Sequence, residues 1–303
     1  MNEIVSIVIP TYGRPKYLER ALNSVLNQSY EFIEVIVVDD NNPGTPERIA
    51  TEKLMKGFIE KKDIKYIQHE KNINGSAARN TGLKASSGEY ITFLDDDDEF
   101  LKEKIEKQVL AIKQFPEYDA IYCMCEYYFK NKKVSDSIYA KDGNCAFDVL
   151  RLKADIPTPS MFLKRSKVES INGFDESFKR HQEYEFMTRF FETSSMYCVK
   201  EVLLRINIDS TLNRPNIDKL LEAKEHFFKK LKPYIVKYTK EEQSEIYKAH
   251  NLQLFRVALK SYDLRSIKYF FKAKPNYQDI KFFIFPYIKK YIRLFGIKII
   301  GKS

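Results

Sequence analysis

The 303-residue chain has no tryptophan, only four cysteines and four histidines, and no run of eighteen or more uncharged apolar residues. The missing apolar run excludes a membrane-spanning helix from the expected architecture. The start, Met1-Asn2-Glu3-Ile4-Val5, has neither a basic leader region nor a cleavage site, so the sequence predicts no secretion and a cytoplasmic location. Cys123, Cys125, Cys145 and Cys198 are too few and too irregularly spaced for a disulfide framework or a zinc site, and read as free buried thiols in a reducing compartment. Cys123 and Cys125 lie two apart in a strand-like run, which points both side chains to one face and suits packing. His69, His181, His226 and His250 show no zinc-ligand spacing. No internal repeat or low-complexity segment is present.

What is there describes an ordinary globular protein: 44% hydrophobic and 31% charged residues, in a length that suits one substantial α/β domain plus an appendage. The net charge of +9 is unevenly divided. Residues 216–303 hold 20 Lys and Arg against 8 Asp and Glu, a local +12 that leaves −3 for residues 1–215. This division predicts a catalytic domain over 1–215 and a separate basic surface over 216–303 suited to an anionic partner.

The N-terminal half alternates short apolar strands with helical patterns. Ile4 to Ile9 is a β-branched run ended by Pro10, and Leu18, Ala21, Leu22, Val25 and Leu26 then recur at helical spacing. Strands over 32–38, 64–68 and 90–94 alternate with helices over 46–60 and 76–85. Strands apolar on both faces, separated by helices, predict a mostly parallel sheet covered on both sides. A helix over 101–114, a strand over 120–129 and a polar connection over 130–142 follow. Thereafter the rhythm loosens, with a strand-like 160–163 and helix-like 167–171 and 183–192. Beyond Pro215 the reading is helical, over 217–231, 240–259 and 264–271.

Open α/β sheets bind ligands beyond the carboxyl ends of their strands. There the sequence places Pro10-Thr11-Tyr12, then Asp39-Asp40-Asn41, then Asp95-Asp96-Asp97-Asp98-Glu99. Adjacent carboxylates repel unless a cation neutralises them, and hard divalent ions bind one or two carboxylates together with substrate phosphates. A strand ending in Asp95-Asp96-Asp97 therefore suits a metal-diphosphate. Tyr12 suits stacking on a base, and Asp40 suits accepting the imide N–H of uracil, which cytosine lacks. Taken singly, each feature also reads as structure: a packed loop aromatic, a turn residue, a solvated helix start where Asp is favoured. Their recurrence at several strand ends favours a site.

The series Val5 to Tyr12, Val35 to Asn41, Asn74-Gly75-Ser76-Ala77-Ala78-Arg79-Asn80-Thr81-Gly82 and Gly88 to Asp98 resembles glycosyltransferase family 2 in order and spacing. Asn172-Gly173-Phe174-Asp175-Glu176 and Arg180 to Glu185 extend the resemblance to about residue 193. The resemblance implies a GT-A fold, a nucleotide-sugar donor, UDP-linked before others, and Mn²⁺ or Mg²⁺. It implies a nucleotide-sugar half over about 1–98 and an acceptor half over about 99–215. Carried over position by position, Pro10, Thr11, Tyr12 and Asp40 would line the base and ribose pocket. Arg79 would lie near the donor, Asp96 would hold ribose or donor sugar, Asp95 would support the site and Asp97 would bind the metal. The base that deprotonates the acceptor is an Asp in most relatives; Glu183 stands at the matching position here, with Glu185 as the fallback. His181 reads as orienting this loop, and Asp175 and Glu176 as a turn before the acceptor site. Processive members carry Gln-x-x-Arg-Trp, so a chain without tryptophan is expected to add one sugar per encounter.

The resemblance further implies inversion and a glycan or lipid-linked acceptor in bacterial surface polysaccharide synthesis: capsule, O-antigen or lipooligosaccharide. In the tail, Ile284, Phe285, Ile288, Tyr291, Ile292, Phe295 and Ile299 recur at helical spacing among lysines, interrupted early by Pro286. Such a helix could pack on the domain or lie on an anionic membrane. A lipid-linked acceptor favours the membrane reading for 276–303, at the cytoplasmic face of the inner membrane. A basic stripe without a nucleic-acid motif gives no reason to expect DNA or RNA as a partner. Two other functions fit less well. A sugar nucleotidyltransferase would need a glycine-rich loop after the first strand, where only Gly13 stands, and a non-catalytic nucleotide-sugar binding module would show no turnover.

Overall fold

The structure, a computed structural model, describes residues 3–60, 64–208 and 216–279. These form two compact units. The first carries every described strand and the helices up to residue 190. The second carries the later helices, together with the short stretch Leu150–Leu152.

The first unit is built on one nine-stranded sheet. Its elements run β1 (Val5–Thr11), α1 (Pro15–Leu26), β2 (Ile33–Asp39), α2 (Pro46–Ile59), β3 (Ile64–Gln68), α3 (Gly75–Ala85) and β4 (Tyr90–Phe93). Then come β5 (Glu99–Phe100), α4 (Lys104–Gln114), β6 (Ala120–Phe129), β7 (Lys132–Asp136), α5 (Ala146–Leu150), a 3-10 turn (Thr158–Ser160), β8 (Met161–Lys164), α6 (Arg165–Ser170), α7 (Gln182–Phe190) and β9 (Met196–Asn207). The strand order is β3-β2-β1-β4-β8-β6-β9-β5, with β7 paired to β6.

From β3 to β4 the sheet is parallel, as the strand–helix alternation predicts. Past β4 it is mixed: β8 runs antiparallel between β4 and β6, and β5 and β7 are antiparallel additions. The physical reason lies in the connections. A parallel neighbour needs a crossover of a dozen or more residues, whereas β6 turns straight back into β7 through Lys130 and Asn131, both left-handed.

Side chains alternate across β1 to feed two cores. Val5, Ile7 and Ile9 pack with Leu18, Leu22 and Val25 of α1 and with Ile105, Val109 and Ile112 of α4. Val8 joins Ile36 and Val38 against Ala78 and Leu83 of α3, a cluster that also holds Phe186 and Phe190 of α7. Gly82 lets α3 approach β1, because an added Cβ would collide with the Val8 side chain. At the amino end of the strands, Glu34 accepts from Ser6 Oγ at 2.6 Å, from Ser87 N at 2.8 Å and from Ser87 Oγ at 3.0 Å, and is ion-paired with Lys65. Burial works against its charge, but these donors hold the Glu34 carboxyl down at about 2. The four cysteines are buried and free, with Cys123 and Cys125 in one core cluster as their spacing predicts.

The second unit comprises α8 (Ile217–Ile235), α9 (Lys240–Lys260), α10 (Arg265–Ala273) and α11 (Tyr277–Asp279). Thr239 and Glu242 cap α9 reciprocally. Ile217, Leu220, Leu254, Phe255, Ala258 and Tyr269 form its core. Within it Lys224 Nζ meets His250 Nδ1 at 2.7 Å in a buried pair. Among the described residues no helix is long and apolar enough to cross a membrane. The amphipathic stretch expected over 276–303 lies, beyond Asp279, outside the described residues.

Candidate active site

At the carboxyl ends of β1, β2 and β4 the backbone is stitched together before any side chain is considered. Asp40 N donates to Thr11 O at 2.9 Å, and Leu94 N donates to Val8 O at 2.9 Å. The loop after β1 turns at Gly13, with φ near +71°, and Gly13 N donates to Asn41 Oδ1 at 2.8 Å. The residues that follow three neighbouring strands are thereby gathered.

The two carboxylates after β2 divide the work. Asp39 is buried and structural, accepting from Tyr66 Oη at 2.6 Å and from Asn41 N and Nδ2, with Arg48 Nε 3.1 Å away. Asp40 is bonded to the loop that leads into α3: its Oδ1 accepts from Ile73 N at 2.9 Å and meets His69 Nδ1 at 2.7 Å, while its Oδ2 accepts from Asn72 Nδ2 at 2.7 Å. A carboxylate offers about four acceptor sites and these contacts take three, with the Asp40 side chain only 4% exposed. Burial pushes the Asp40 carboxyl above its ordinary value, against the pull of His69 and the Ile73 amide. His69 is fixed from its other nitrogen, which meets Thr81 Oγ1 at 2.9 Å.

After β4, Asp98 N closes a turn on Asp95 O at 3.0 Å, and the four aspartates divide among Arg79, Arg14 and Asn207. Asp95, 32% exposed, takes Arg79 Nη2 at 2.5 Å. Asp96 is fully buried; Thr11 Oγ1 donates to its Oδ2 at 2.7 Å, and Arg14 Nη2 lies 2.6 Å from its Oδ1. Asp97, 14% exposed, is ion-paired with the other arm of the Arg14 guanidinium. Asp98 faces inward and accepts from Asn207 N at 2.9 Å. Burial pushes the Asp96 carboxyl up to about 7, against the pull of Arg14, with Asp97 adding to the rise. Burial also raises Asp97, and raises Asp98 well above the ordinary carboxylate value. So many shifted carboxylates in one turn mark a place where negative charge is held at a cost.

The line continues to the acceptor half. Arg79 Nη1 donates to Gln182 Oε1 at 2.8 Å, joining Asp95 to the first residue of α7. Glu183 is the next residue, half-buried in the first turn of that helix. Glu185 is withdrawn from the cleft: it is buried and paired with Arg189, whose guanidinium also donates to the carbonyls of Ile171 and Gly173. Both oxygens of Glu185, the fallback in the sequence reading, are engaged by Arg189. Glu176 accepts from Asn80 Nδ2 at 2.9 Å, tying the turn before α7 to α3.

Of the sequence-selected residues, Thr11, Asp40, Arg79, Asp95, Asp96 and Asp97 lie along one connected edge. Pro10 is the penultimate residue of β1, paired with Val38, and Tyr12 is 53% exposed with its amide 3.4 Å from Asp96 Oδ2. Sequence reasoning missed Arg14, His69 in its contact with Asp40, Asn72 and Gln182. None carries a local signal, because each acquires its partner only when separate strand ends meet.

The donor set fits a hard divalent ion. Asp97 and Asp95 present carboxylate oxygens that retain some exposure, and such an ion takes one or two carboxylates with substrate phosphates. Among the described residues no group of three or more His, Cys, Asp or Glu is gathered as a complete metal cage. A separate groove of about 750 Å³ bounded by Lys16, Glu19, Asn23 and Lys102 shares only Arg20 and Glu99 with the surroundings of the acidic turn.

Comparison with known proteins bears on family and fold. The family model for glycosyl transferase family 2 matches residues 6–170. The uncharacterized glycosyltransferase RP339 of Rickettsia prowazekii is 30% identical over 249 residues, 80% of this chain and 74% of that protein. The uncharacterized glycosyltransferase MJ1057 of Methanocaldococcus jannaschii is 29% identical over 227 residues, 72% of this chain and 76% of that one. Some relatives are matched over much less of their length; for glycosyltransferase GlyA of Streptococcus pneumoniae the figure is 20%, at 33% identity.

In fold, the chain resembles S. aureus TarS 1-349 in complex with UDP, with a TM-score of 0.57 and 17% identity, covering 89% of this chain and 88% of that one. It also resembles mannosyltransferase PcManGT from Pyrobaculum calidifontis in complex with GDP-Man and Mn²⁺, with a TM-score of 0.59 and 15% identity, covering 88% and 78%. An α/β fold of the GT-A kind, a helical region after it, and a family model spanning more than half of the sequence lead to one conclusion: this chain is a glycosyltransferase and belongs to glycosyl transferase family 2.

Proposed function

We propose that the enzyme transfers a single sugar, with inversion, from a UDP-sugar to a glycan or lipid-linked acceptor. The observation that carries this reading is the unbroken line of contacts from Asp40 through Thr11, Asp96, Arg14 and Asp97, and from Asp95 through Arg79 to Gln182 beside Glu183. One end suits a base and the other suits an acceptor hydroxyl. Asp40 would accept the N3–H of uracil, and exposed Tyr12 offers a face for the ring to stack on. Pro10 and Thr11 border that pocket. Arg79 and Asp95 support the donor, and Asp96 takes the ribose or sugar hydroxyls.

Asp97 would hold Mn²⁺ or Mg²⁺. Such an ion, when bound, supplies positive charge against the diphosphate. In the displacement, the acceptor oxygen forms a bond to the anomeric carbon as the bond from that carbon to the diphosphate oxygen breaks. UDP leaves with the electron pair and Glu183 takes the hydroxyl proton. Synthesis of a bacterial surface polysaccharide, such as capsule or O-antigen, is the setting this reading suits, with the enzyme at the cytoplasmic face of the inner membrane. The UDP complex of TarS and the GDP-mannose–Mn²⁺ complex of PcManGT support the donor and metal classes, each for its own protein.

The test is transfer or hydrolysis from a panel of UDP-, GDP- and dTDP-sugars with Mn²⁺. We expect turnover with a UDP-sugar, loss of at least a hundred-fold in kcat for Asp97→Ala and Glu183→Gln, and loss of activity in EDTA. Equal rates in EDTA and Mn²⁺, or a Glu183→Gln enzyme as fast as wild type, would overturn it.

A further inference from the structure

Arg14 occupies an unusual position in this site. Its guanidinium spans Asp96 and Asp97, with Nη2 2.6 Å from Asp96 Oδ1 and Nη1 against Asp97 Oδ2, and the side chain is only 17% exposed. Among the described residues these two carboxylates are its only side-chain partners. The other nearby cations are engaged elsewhere: Arg79 with Asp95 and Gln182, Arg20 with the Asp97 carbonyl at 2.6 Å and with Glu99 at 3.4 Å. Arg14 is therefore the counter-charge for the two carboxylates that the proposed reading gives to the donor and the metal.

Arg14 takes one oxygen of each carboxylate, so a divalent ion at Asp97 would sit on what remains, a few ångströms from a guanidinium that repels it. Arginine does not lose its proton in proteins, so the repulsion is relieved by movement of the side chain or by an anion that compensates its charge. Its backbone is poorly suited to move: Gly13 N is tied to Asn41, and the next residue opens α1 at Pro15. A bare cation arriving at Asp97 brings only repulsion to Arg14. A cation arriving with a diphosphate brings an anion that can take over the guanidinium's charge.

We propose that Arg14 is a resident counter-cation that keeps the divalent-metal site closed until the nucleotide diphosphate arrives, so that metal and donor enter together. This inference rests on the assignment of Asp97 as the metal ligand, and its test is built to separate the two.

Mn²⁺ is titrated into the full-length protein without nucleotide, and free Mn²⁺ is read by electron paramagnetic resonance. We expect weak binding to wild type, binding at least ten-fold tighter to Arg14→Gln, and a smaller gain for Arg14→Lys, whose single ammonium cannot span both carboxylates. Mn²⁺ is also expected to raise the melting temperature of Arg14→Gln more than that of wild type. An Arg14→Gln affinity within two-fold of wild type would sink the proposal; should that variant lose its cooperative melt, Arg14→Lys decides by the same criterion. In wild type, UDP is expected to tighten Mn²⁺ at least ten-fold, and no gain overturns the coupling. Asp97→Asn separates the failures. If it binds Mn²⁺ with UDP as wild type does, the metal assignment itself is wrong. If it loses that binding while Arg14→Gln remains unchanged, only the role given to Arg14 fails.

Discussion

Asp39 and Asp40 show how adjacent residues of one type come to different ends. One is consumed by Tyr66, Asn41 and Arg48, and the other is presented by His69, Asn72 and Ile73. Replacing Asp40 with Asn puts an amide donor among three donors, so we expect at least a ten-fold loss of UDP affinity by calorimetry, with a smaller change for GDP. Acidic runs were legible at this scale because local repetition in sequence survives folding. Arg14, His69 and Gln182 were not, since their meaning depends on partners 83, 29 and 103 residues away.

Lys104 carries a different residue-scale prediction. It is fully buried, 2.7 Å from Gln108 Oε1 and 4.0 Å from the centre of the Phe100 ring, and burial lowers its ammonium to about 8. With the folded value below the unfolded 10.5, the unfolded chain binds more protons between pH 8 and 10.5, and stability rises with pH across that window. Lys104→Met should lack this rise. Urea unfolding at pH 7 should find the variant equal to wild type or more stable by about 1 kcal/mol, because a buried charge is exchanged for an apolar side chain.

Elements explain where the sequence was silent. Most of the longer helices were placed to within a few residues because their apolar spacing and caps are local, as with Thr45 before α2, Asn74 before α3 and Thr239 before α9, whereas the five-residue α5 was not read. The strand β9 was not singled out. Its pairing with β6 breaks register between Cys123 and Met124 and again between Met124 and Cys125, and exposed Lys200 and Glu201 interrupt any alternation. β7 is exposed throughout, so its polar residues carry no strand period and read as a connection. The two-residue β5 is too short to leave a pattern. At α3, Gly82→Ala should cost about 1–3 kcal/mol in unfolding free energy through its clash with Val8. Adding Val8→Ala should recover part of that loss, and a strictly additive double mutant would show that the two side chains do not meet.

For the whole molecule, charge is the property that separates the two ends of the chain. Residues 1–215 are slightly acidic and 216–303 strongly basic. On α10 the exposed residues include Leu264's neighbour Ile267 and Phe271, among Arg265, Lys268 and Lys272. We expect deletion of 276–303 to release the protein from vesicles containing anionic lipid in a sedimentation assay, and added salt to weaken binding of the intact chain. Unchanged sedimentation after the deletion would reject the membrane reading. The mixed character of the sheet was illegible for a similar reason of scale: strand direction beyond β4 is decided by which distant segments pair, and local alternation says nothing of that.

The knot around Glu34 acts at a distance. Pairing between β1 and β2 sets Ser6 opposite Glu34 and, five residues on, Thr11 opposite Asp39. The seven β1–β2 pairs run without a bulge, so a slip of a single residue would carry through all of them and turn the side chains to the wrong face. The alignment of Thr11 with Asp39 is therefore anchored from the opposite end of the strands, by the hydrogen bond and ion pair that fix Glu34.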